Sequence, residues 1–127
     1  MAFMFQNCIS LTSIDFPQDL SPPVTNLCGM FQSCYSFENL DLSGLSTGEV
    51  TNMANMFKDC GKIKELKINN FDTSSVNDMN SMFSNCSSLT NLDISNFVIN
   101  NVRDMNYMFQ YCNNLISLDL SKFQENL

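Results

Sequence analysis

Apolar residues return along this chain at a fixed interval of 26 residues. The clearest marker is a Met-Phe pair, which occurs at Met4-Phe5, Met30-Phe31, Met56-Phe57, Met82-Phe83 and Met108-Phe109. Such a period is typical of repeat proteins, in which each unit is too small to bury its own apolar face and stacks on its neighbours. The pattern predicts about five repeats in a single domain, residues 1–127. Because Met1 aligns with Met53, inside a repeat, we interpret the chain as a fragment of a longer array.

The first half of each repeat has the spacing of an amphipathic helix. In one repeat, Met79, Met82, Phe83 and Cys86 stand at relative positions 0, 3, 4 and 7, which fall on one helical face. Ser75 stands three residues before Asp78, as an N-cap residue stands before an acidic residue of the first turn. The spacing predicts a short helix over residues 76–86 and at the equivalent place in every repeat.

The second half of each repeat has the spacing of a strand. After Cys86 the pattern becomes Leu89-x-x-Leu92-x-Ile94, and its last two positions alternate as strand residues do. Polar loop residues separate each strand from the next helix. The predicted fold is therefore an α/β solenoid with parallel strands on the concave face and short helices on the convex face.

The repeat resembles a known family in detail. LxxLxL followed by a helical return is similar to the leucine-rich repeat, and the longer pattern MFxxC…LxxLxL resembles the BspA-like leucine-rich repeat surface proteins. The resemblance covers nearly the whole chain, although Leu20 stands one place off its column and Leu27 replaces a Met. It implies a right-handed superhelix, a location at the cell surface and a role in adhesion or binding. It carries no catalytic residues.

Charge narrows the range of partners. The chain has 13 acidic and 6 basic residues, a net charge of −7. Nucleic acids and anionic membranes are bound by concentrated Lys and Arg, so this balance argues against both. No apolar run reaches the roughly 18 residues of a membrane span, and the first residues lack the pattern of a signal peptide. The extracellular location is thus an expectation from the resemblance.

Five of the six cysteines share one repeat position, listed here in order: Cys8, Cys34, Cys60, Cys86 and Cys112. This position is on the apolar stripe, where free Cys packs as a small hydrophobic residue, so we expect a ladder of buried, reduced thiols. Cys28 stands off the stripe and is expected to be partly exposed. Without His or a CxxC motif, no usual zinc set is present, and we expect neither metal nor cofactor. With no His beside a Ser or Cys, the sequence also predicts a protein that is not an enzyme.

One column of outward strand positions is mainly acidic: Asp15, Asp41, Lys67, Asp93 and Asp119. We call this column the acidic row. Like charges stacked at strand spacing repel, and the row is interrupted only by Lys67. Two interpretations stay open. The row is either a ligand-binding stripe or a solvated polar face in which Lys67 relieves the repulsion. A calcium site is disfavoured because one strand column offers few converging oxygens.

The sequence leads to two functional hypotheses. The first is a non-enzymatic extracellular binding or adhesion module that recognises a protein or a glycan through the strand face, with Asp41, Glu65, Lys67, Asp93 and Asp119 as its ligand-binding residues. The second is an intracellular or architectural scaffold that assembles through the open ends of the array, including end-to-end self-association.

Overall fold

Most of this protein consists of turns, which connect a few short regular elements. The structure, a computed structural model, describes residues 1–17 and 22–126. Its strands are β1, Asn39–Asp41, and β2, Glu65–Lys67, and a 3₁₀ helix spans Ser121–Asn126. The two strands form an open parallel sheet in which Leu40 is paired with Leu66. The off-column residue Leu20 lies outside the described residues.

The predicted α/β leucine-rich repeat solenoid is wrong. Within the described residues there is no α-helix, and residues 76–86 with their equivalents in other repeats are successive turns. The cause is a pair of left-handed residues around each Met-Phe pair. We call this part of the repeat, residues 79–86 and their equivalents, the Met-Phe segment. Asn55 has φ of 57° and Asp59 has φ of 62°, and Ser81 and Asn85 repeat these values at 55° and 62°. An α-helix requires negative φ at every residue, so it cannot pass through these positions.

Backbone hydrogen bonds in the Met-Phe segments run between repeats. The N–H groups of alternate residues donate to the next repeat, as from Gly29 to the Ala54 carbonyl at 2.8 Å and from Phe31 to the Met56 carbonyl at 2.9 Å. The intervening N–H groups close turns within the repeat, as from Met30 to the Leu27 carbonyl at 3.1 Å. Each segment therefore satisfies part of its backbone by bonding to the neighbouring repeat and part by turns of its own, where a helix would bond only to itself.

The core runs through the array as columns of identical residues. Phe31, Phe57 and Phe83 are fully buried, and successive rings stack with centroids 5.7 and 5.6 Å apart. The Met and Leu columns of the inner repeats are buried in the same way. The burial predicted for these columns is thus confirmed for the inner repeats, although the backbone that carries them is not helical.

In the described part of the chain, the predicted strands are present in two repeats. Among the described residues, the strand position of the later repeats is represented by one isolated parallel bridge, between Asn91 and Ser117. A turn after each strand position limits its length. In β1 the N–H of Ser43 donates to the Asp41 carboxylate at 2.9 Å, which closes a turn immediately after three strand residues.

Buried threonines join the repeats on the loop side. The Thr73 hydroxyl donates to the Val98 carbonyl at 2.9 Å and accepts from the Val98 N–H at 2.7 Å. Thr47 makes the same pair of bonds with Asp72, at 3.0 and 2.8 Å. Each hydroxyl satisfies both backbone groups of a residue in the next repeat, where no strand pairing is available.

The cysteine column forms a second ladder. Cys34, Cys60 and Cys86 are buried, and each thiol donates to a Phe carbonyl of the preceding repeat, as from Cys60 to Phe31 at 3.0 Å. Burial raises the pKa of Cys34 to about 11 and the pKa values of Cys60 and Cys86 further. The expected partial exposure of Cys28 is confirmed, since this residue is half-buried.

Candidate functional site

The paired strands hold three of the five predicted binding residues. Asp41 and Lys67 are register partners at the ends of β1 and β2, and their side chains form an ion pair at 3.1 Å. Glu65 begins β2 and is paired in register with Asn39. The side chains of the strand residues alternate between outward and inward, so these four point outward while Leu40 and Leu66 enter the core.

These residues line a shallow surface depression of about 260 Å³, which we call the strand depression. Its lining consists of the outward residues Asn39, Asp41, Glu65 and Lys67 together with Leu40. It offers carboxylate oxygens, an amide and an ammonium group around a small apolar patch. This combination is suited to binding a polar side chain of a partner.

Both lysines of this surface are already paired with acids of the preceding repeat. Lys67 contacts Asp41, and Lys64 contacts Glu38, each at 3.1 Å. All four side chains are more than half exposed, so the two ion pairs stabilise the fold little. Their main effect is on the surface charge, because they leave Glu65 as the carboxylate in the strand depression without a lysine partner.

Asp93 and Asp119 lie further along the acidic row and are exposed. Within the described part of the chain, no contact joins either of them to the Asp41–Lys67 pair. Each carboxylate instead accepts the N–H of the residue two positions on, from Ser95 at 3.0 Å and from Ser121 at 2.9 Å. The structure thus brings Asp41, Glu65 and Lys67 together, and it places Asp93 and Asp119 in two separate later repeats.

The acidic row has a structural role besides the binding role that the sequence predicts. Hydrogen bonds from the hydroxyl and N–H of Ser43, and then from Lys67, lower the pKa of Asp41 to about 2. The equivalent serine hydroxyl and N–H lower the pKa values of Asp93 and Asp119. These carboxylates are therefore ionised at neutral pH, and each closes the turn that ends its strand position.

A second depression lies on the turn side of the last three repeats. It has a volume of about 500 Å³, and its lining includes Lys58, Asp59, Asn85, Tyr107 and Tyr111. The Asn85 amide donates to the Asp59 carboxylate at 3.0 Å, and both tyrosine side chains are exposed. Amide, charged and aromatic groups side by side are suited to a polar ligand.

A metal centre has no candidate in the described residues. Nowhere in residues 1–17 or 22–126 do three or more His, Cys, Asp or Glu residues gather as a metal-binding group. Burial also opposes thiolate formation along the cysteine ladder, because it raises the pKa of Cys60. The helical part of the described chain is too short to cross a membrane.

Comparison with known families gives one match. The family described as "Mycoplasma protein of unknown function, DUF285" matches residues 1–123. The chain belongs to this family. The match contains both depressions and the whole acidic row. Neither a curated protein nor a solved structure matches the chain.

Sequence reasoning missed two features of this DUF285 chain. The first is the turn-closing role of the acidic row, for which the sequence carries a signal in the recurrent Asp-x-Ser of residues 41–43, 93–95 and 119–121. The second is the exposed pair Tyr107 and Tyr111. These tyrosines occupy the two left-handed columns, which contain small polar residues or Gly in the three preceding repeats. A bulky aromatic residue at such a position was the available signal.

Proposed function

We propose that this chain is a non-enzymatic extracellular binding module that recognises a protein with a basic surface patch through the acidic row. The observation that carries the proposal is the arrangement of charge around the strand depression. Lys64 and Lys67 are each held 3.1 Å from a carboxylate of the preceding repeat, while Glu65 and Asp93 stay exposed without an ion pair among the described residues. Asp119 is exposed as well, and Lys122 lies near enough to help lower its pKa without forming an ion pair. The surface is left acidic, and it fits a cationic partner.

The geometry of the row supports recognition over an extended surface. Its members recur every 26 residues, and the parallel pairing of β1 with β2 places the members from these two repeats, Asp41 and Lys67, side by side. Hydrogen bonds to Asp41, Asp93 and Asp119 hold these carboxylates in place, so little side-chain entropy is lost on binding. The extracellular location is proposed on the resemblance to BspA-like surface proteins.

Paired capture experiments test this proposal. The row variant is Glu65→Gln with Asp93→Asn, since an Asn amide oxygen still accepts the Ser95 N–H and keeps the turn closed. The control variant is Glu49→Gln with Asp72→Asn, which makes the same change of charge off the row and likewise keeps a turn-closing bond, from the Ser74 N–H. Wild type and both variants are immobilised and exposed to extracellular-matrix and cell-surface proteins, and the bound proteins are identified by mass spectrometry.

We expect the wild type and the control to capture a basic extracellular protein that the row variant binds roughly tenfold more weakly, corresponding to about 1.4 kcal/mol. The association rate should also fall as salt is raised. Equal binding by all three chains would show that the row is a solvated face. Capture of intracellular proteins alone by all three would favour the scaffold function.

The scaffold function is the second candidate because of the array ends. Residues of core columns become exposed in the first and last repeats, as with Met4 and Leu120. An assembly through these ends would not need the acidic row, so the row variant leaves it intact.

A further inference from the structure

The depression on the turn side of the array is formed by three consecutive repeats packed on one another. We call it the turn depression, and its lining takes residues from each repeat in order: Lys58 and Asp59, then Ser84 and Asn85, then Tyr107 and Tyr111. Its volume of about 500 Å³ lies within the range of roughly 300–1,000 Å³ that is typical of small-molecule sites. The turn depression therefore has the size of a ligand site along the side of the array.

The column of Tyr111 faces outward also in repeats that have a neighbour on each side. Asn85, at the equivalent position, is exposed, and Asp59, one repeat earlier, is half-buried. Tyr111 itself is 62% exposed. Within the described residues, neither its ring nor that of Tyr107 packs on another aromatic ring, because all the ring pairs are formed by Phe. Tyr111 therefore presents an aromatic ring without an aromatic partner at the side of the array.

Both tyrosines have a backbone conformation that aromatic residues rarely adopt. Tyr107 and Tyr111 each have φ of 60°, where the Cβ atom of a bulky residue is strained. The three preceding repeats have small polar residues or Gly in these two columns, namely Gly29, Asn55 and Ser81, and Ser33, Asp59 and Asn85. Small residues are thus enough to form the turn. Strained residues of this kind cluster at binding sites, so the two rings indicate a ligand.

A hydroxyl without a protein partner lies in the same lining. Ser84 is only 4% exposed, and its side chain has no hydrogen bond within residues 1–17 and 22–126. Buried polar groups are normally bonded, and in the described chain every side-chain N or O atom that is fully closed off from solvent has a partner. The Ser84 hydroxyl is therefore in contact with the turn depression, where a ligand can bond to it. Ser81, in the same lining, already donates to the Asn80 side chain at 2.8 Å.

Other polar groups of the lining are held in place by the packing of the repeats. The Asn85 amide donates to the Asp59 carboxylate at 3.0 Å, and the Asn85 N–H donates to the Gln110 carbonyl at 2.7 Å. The amide and the carboxylate each keep further hydrogen-bonding positions. Lys58 forms no ion pair in the described part of the chain, and its charge is opposite to that of Asp59. The lining therefore offers fixed donors and acceptors with no net formal charge.

We propose that the turn depression binds a neutral pyranose sugar. Each hydroxyl of a pyranose both donates and accepts hydrogen bonds, and the C–H groups on one face of its ring form an apolar surface that packs on an aromatic ring. The Tyr111 ring covers that face, while Ser84 and Asp59 bond to hydroxyl groups of the sugar. An anionic sugar is disfavoured because the chain has a net charge of −7. The site shares no residue with the acidic row, so it adds a second binding activity to the one proposed above.

NMR titration of the backbone amides with simple sugars tests the proposal. The neutral probes are the methyl glycosides of glucose, galactose, mannose and N-acetylglucosamine, and the anionic comparison is N-acetylneuraminic acid. Tyr111→Asn introduces the residue of the preceding repeat, which tolerates the positive φ, and Ser84→Ala removes a hydroxyl that bonds to no described residue. Neither change should lower stability, which urea denaturation checks. Tyr35→Ser is the matched control, because Tyr35 is 48% exposed and lies outside the lining.

We expect at least one neutral glycoside to give saturable shifts with the wild type and with Tyr35→Ser, and N-acetylneuraminic acid to bind more weakly. Tyr111→Asn should weaken binding roughly tenfold and Ser84→Ala about threefold. The row variant Glu65→Gln with Asp93→Asn should bind the sugar as the wild type does, so this proposal and the proposed function fail separately. Absence of saturable binding by every neutral probe would overturn the sugar site. Tighter binding of N-acetylneuraminic acid would overturn it too, and so would sugar binding that Tyr111→Asn and Ser84→Ala both leave unchanged.

Discussion

The rings of Phe31 and Phe57 lie parallel, with centroids 5.7 Å apart and planes inclined by 2°. They belong to consecutive repeats, and their backbones are joined by the bond from the Phe31 N–H to the Met56 carbonyl at 2.9 Å. Ring stacking and backbone pairing thus occur at the same step of the array. This coincidence means that a defect in the core should weaken the junction between repeats.

Replacing an inner ring of the Phe stack should strongly destabilise the fold. Phe57 lies between Phe31 and Phe83 and is fully buried, so Phe57→Ala should lower the free energy of unfolding by about 3–5 kcal/mol through lost contacts and the cavity left behind. Phe5→Ala is the comparison, because Phe5 is only partly buried and has one neighbouring ring. Urea denaturation of both variants measures the difference. Equal losses would mean that the stack does not behave as one continuous core.

The Thr73 hydroxyl should contribute more to the free energy of unfolding than an exposed hydroxyl does. Thr73→Val keeps the shape but leaves the N–H and carbonyl of Val98 without their partner, so the free energy of unfolding should fall by about 2 kcal/mol. Thr51→Val removes a hydroxyl at an exposed residue whose bond to the Thr25 carbonyl is 3.3 Å long, and should cost less than about 0.5 kcal/mol. Chemical denaturation compares them. Similar costs for the two variants would contradict the bridging role assigned to Thr73.

The buried thiols should make the fold sensitive to alkali. Burial raises the pKa values of Cys60 and Cys86 above their ordinary value of 9.0. A raised pKa in the folded state means that the thiols' contribution to stability is fully present below pH 9.0 and is lost as pH rises, because the unfolded chain releases its protons first. Stability measured by urea denaturation should therefore fall above that pH.

The control for alkaline sensitivity is the double variant Cys60→Ser, Cys86→Ser. A serine hydroxyl can still donate to the Phe carbonyl of the preceding repeat, and it does not ionise in this range. Tyrosines and lysines are common to both proteins, so the difference in slope isolates the thiols. An equally steep alkaline loss in the double variant would assign the effect to those other groups.

The sequence allowed the columns to be predicted but not the backbone that carries them. The period and the burial of Phe57 and Cys60 follow from the apolar pattern alone, because an inner repeat covers the same face whatever its conformation. The helix prediction failed because offsets of 0, 3, 4 and 7 place side chains on one side of this series of turns as well as on a helix. The distinguishing signal was the small polar residue at the left-handed positions, as in Asn55 and Asp59.

The candidate site was predictable in the same partial way. Strand alternation correctly placed Asp41, Glu65 and Lys67 on the outer face. Side-chain pairing was harder to foresee, because the 3.1 Å contact of Lys67 with Asp41 depends on rotamers and on which neighbouring repeat the lysine approaches. The bond from the Ser95 N–H to Asp93 is local and could have been predicted from Asp-x-Ser.

The Met-Phe segments are left-handed turns joined between repeats, and the arrangement of the core columns depends on that geometry. The most direct test compares Ser33→Gly with Ser33→Ala by urea denaturation. Ser33 has φ of 60° and donates its N–H to the Lys58 carbonyl at 2.8 Å. At this φ a Cβ atom costs roughly 1–2 kcal/mol, so the Gly variant should be the more stable by about 1 kcal/mol or more. In a helix the order reverses, with Ala more stable by about 1 kcal/mol. A more stable Ala variant would therefore contradict a left-handed turn at Ser33.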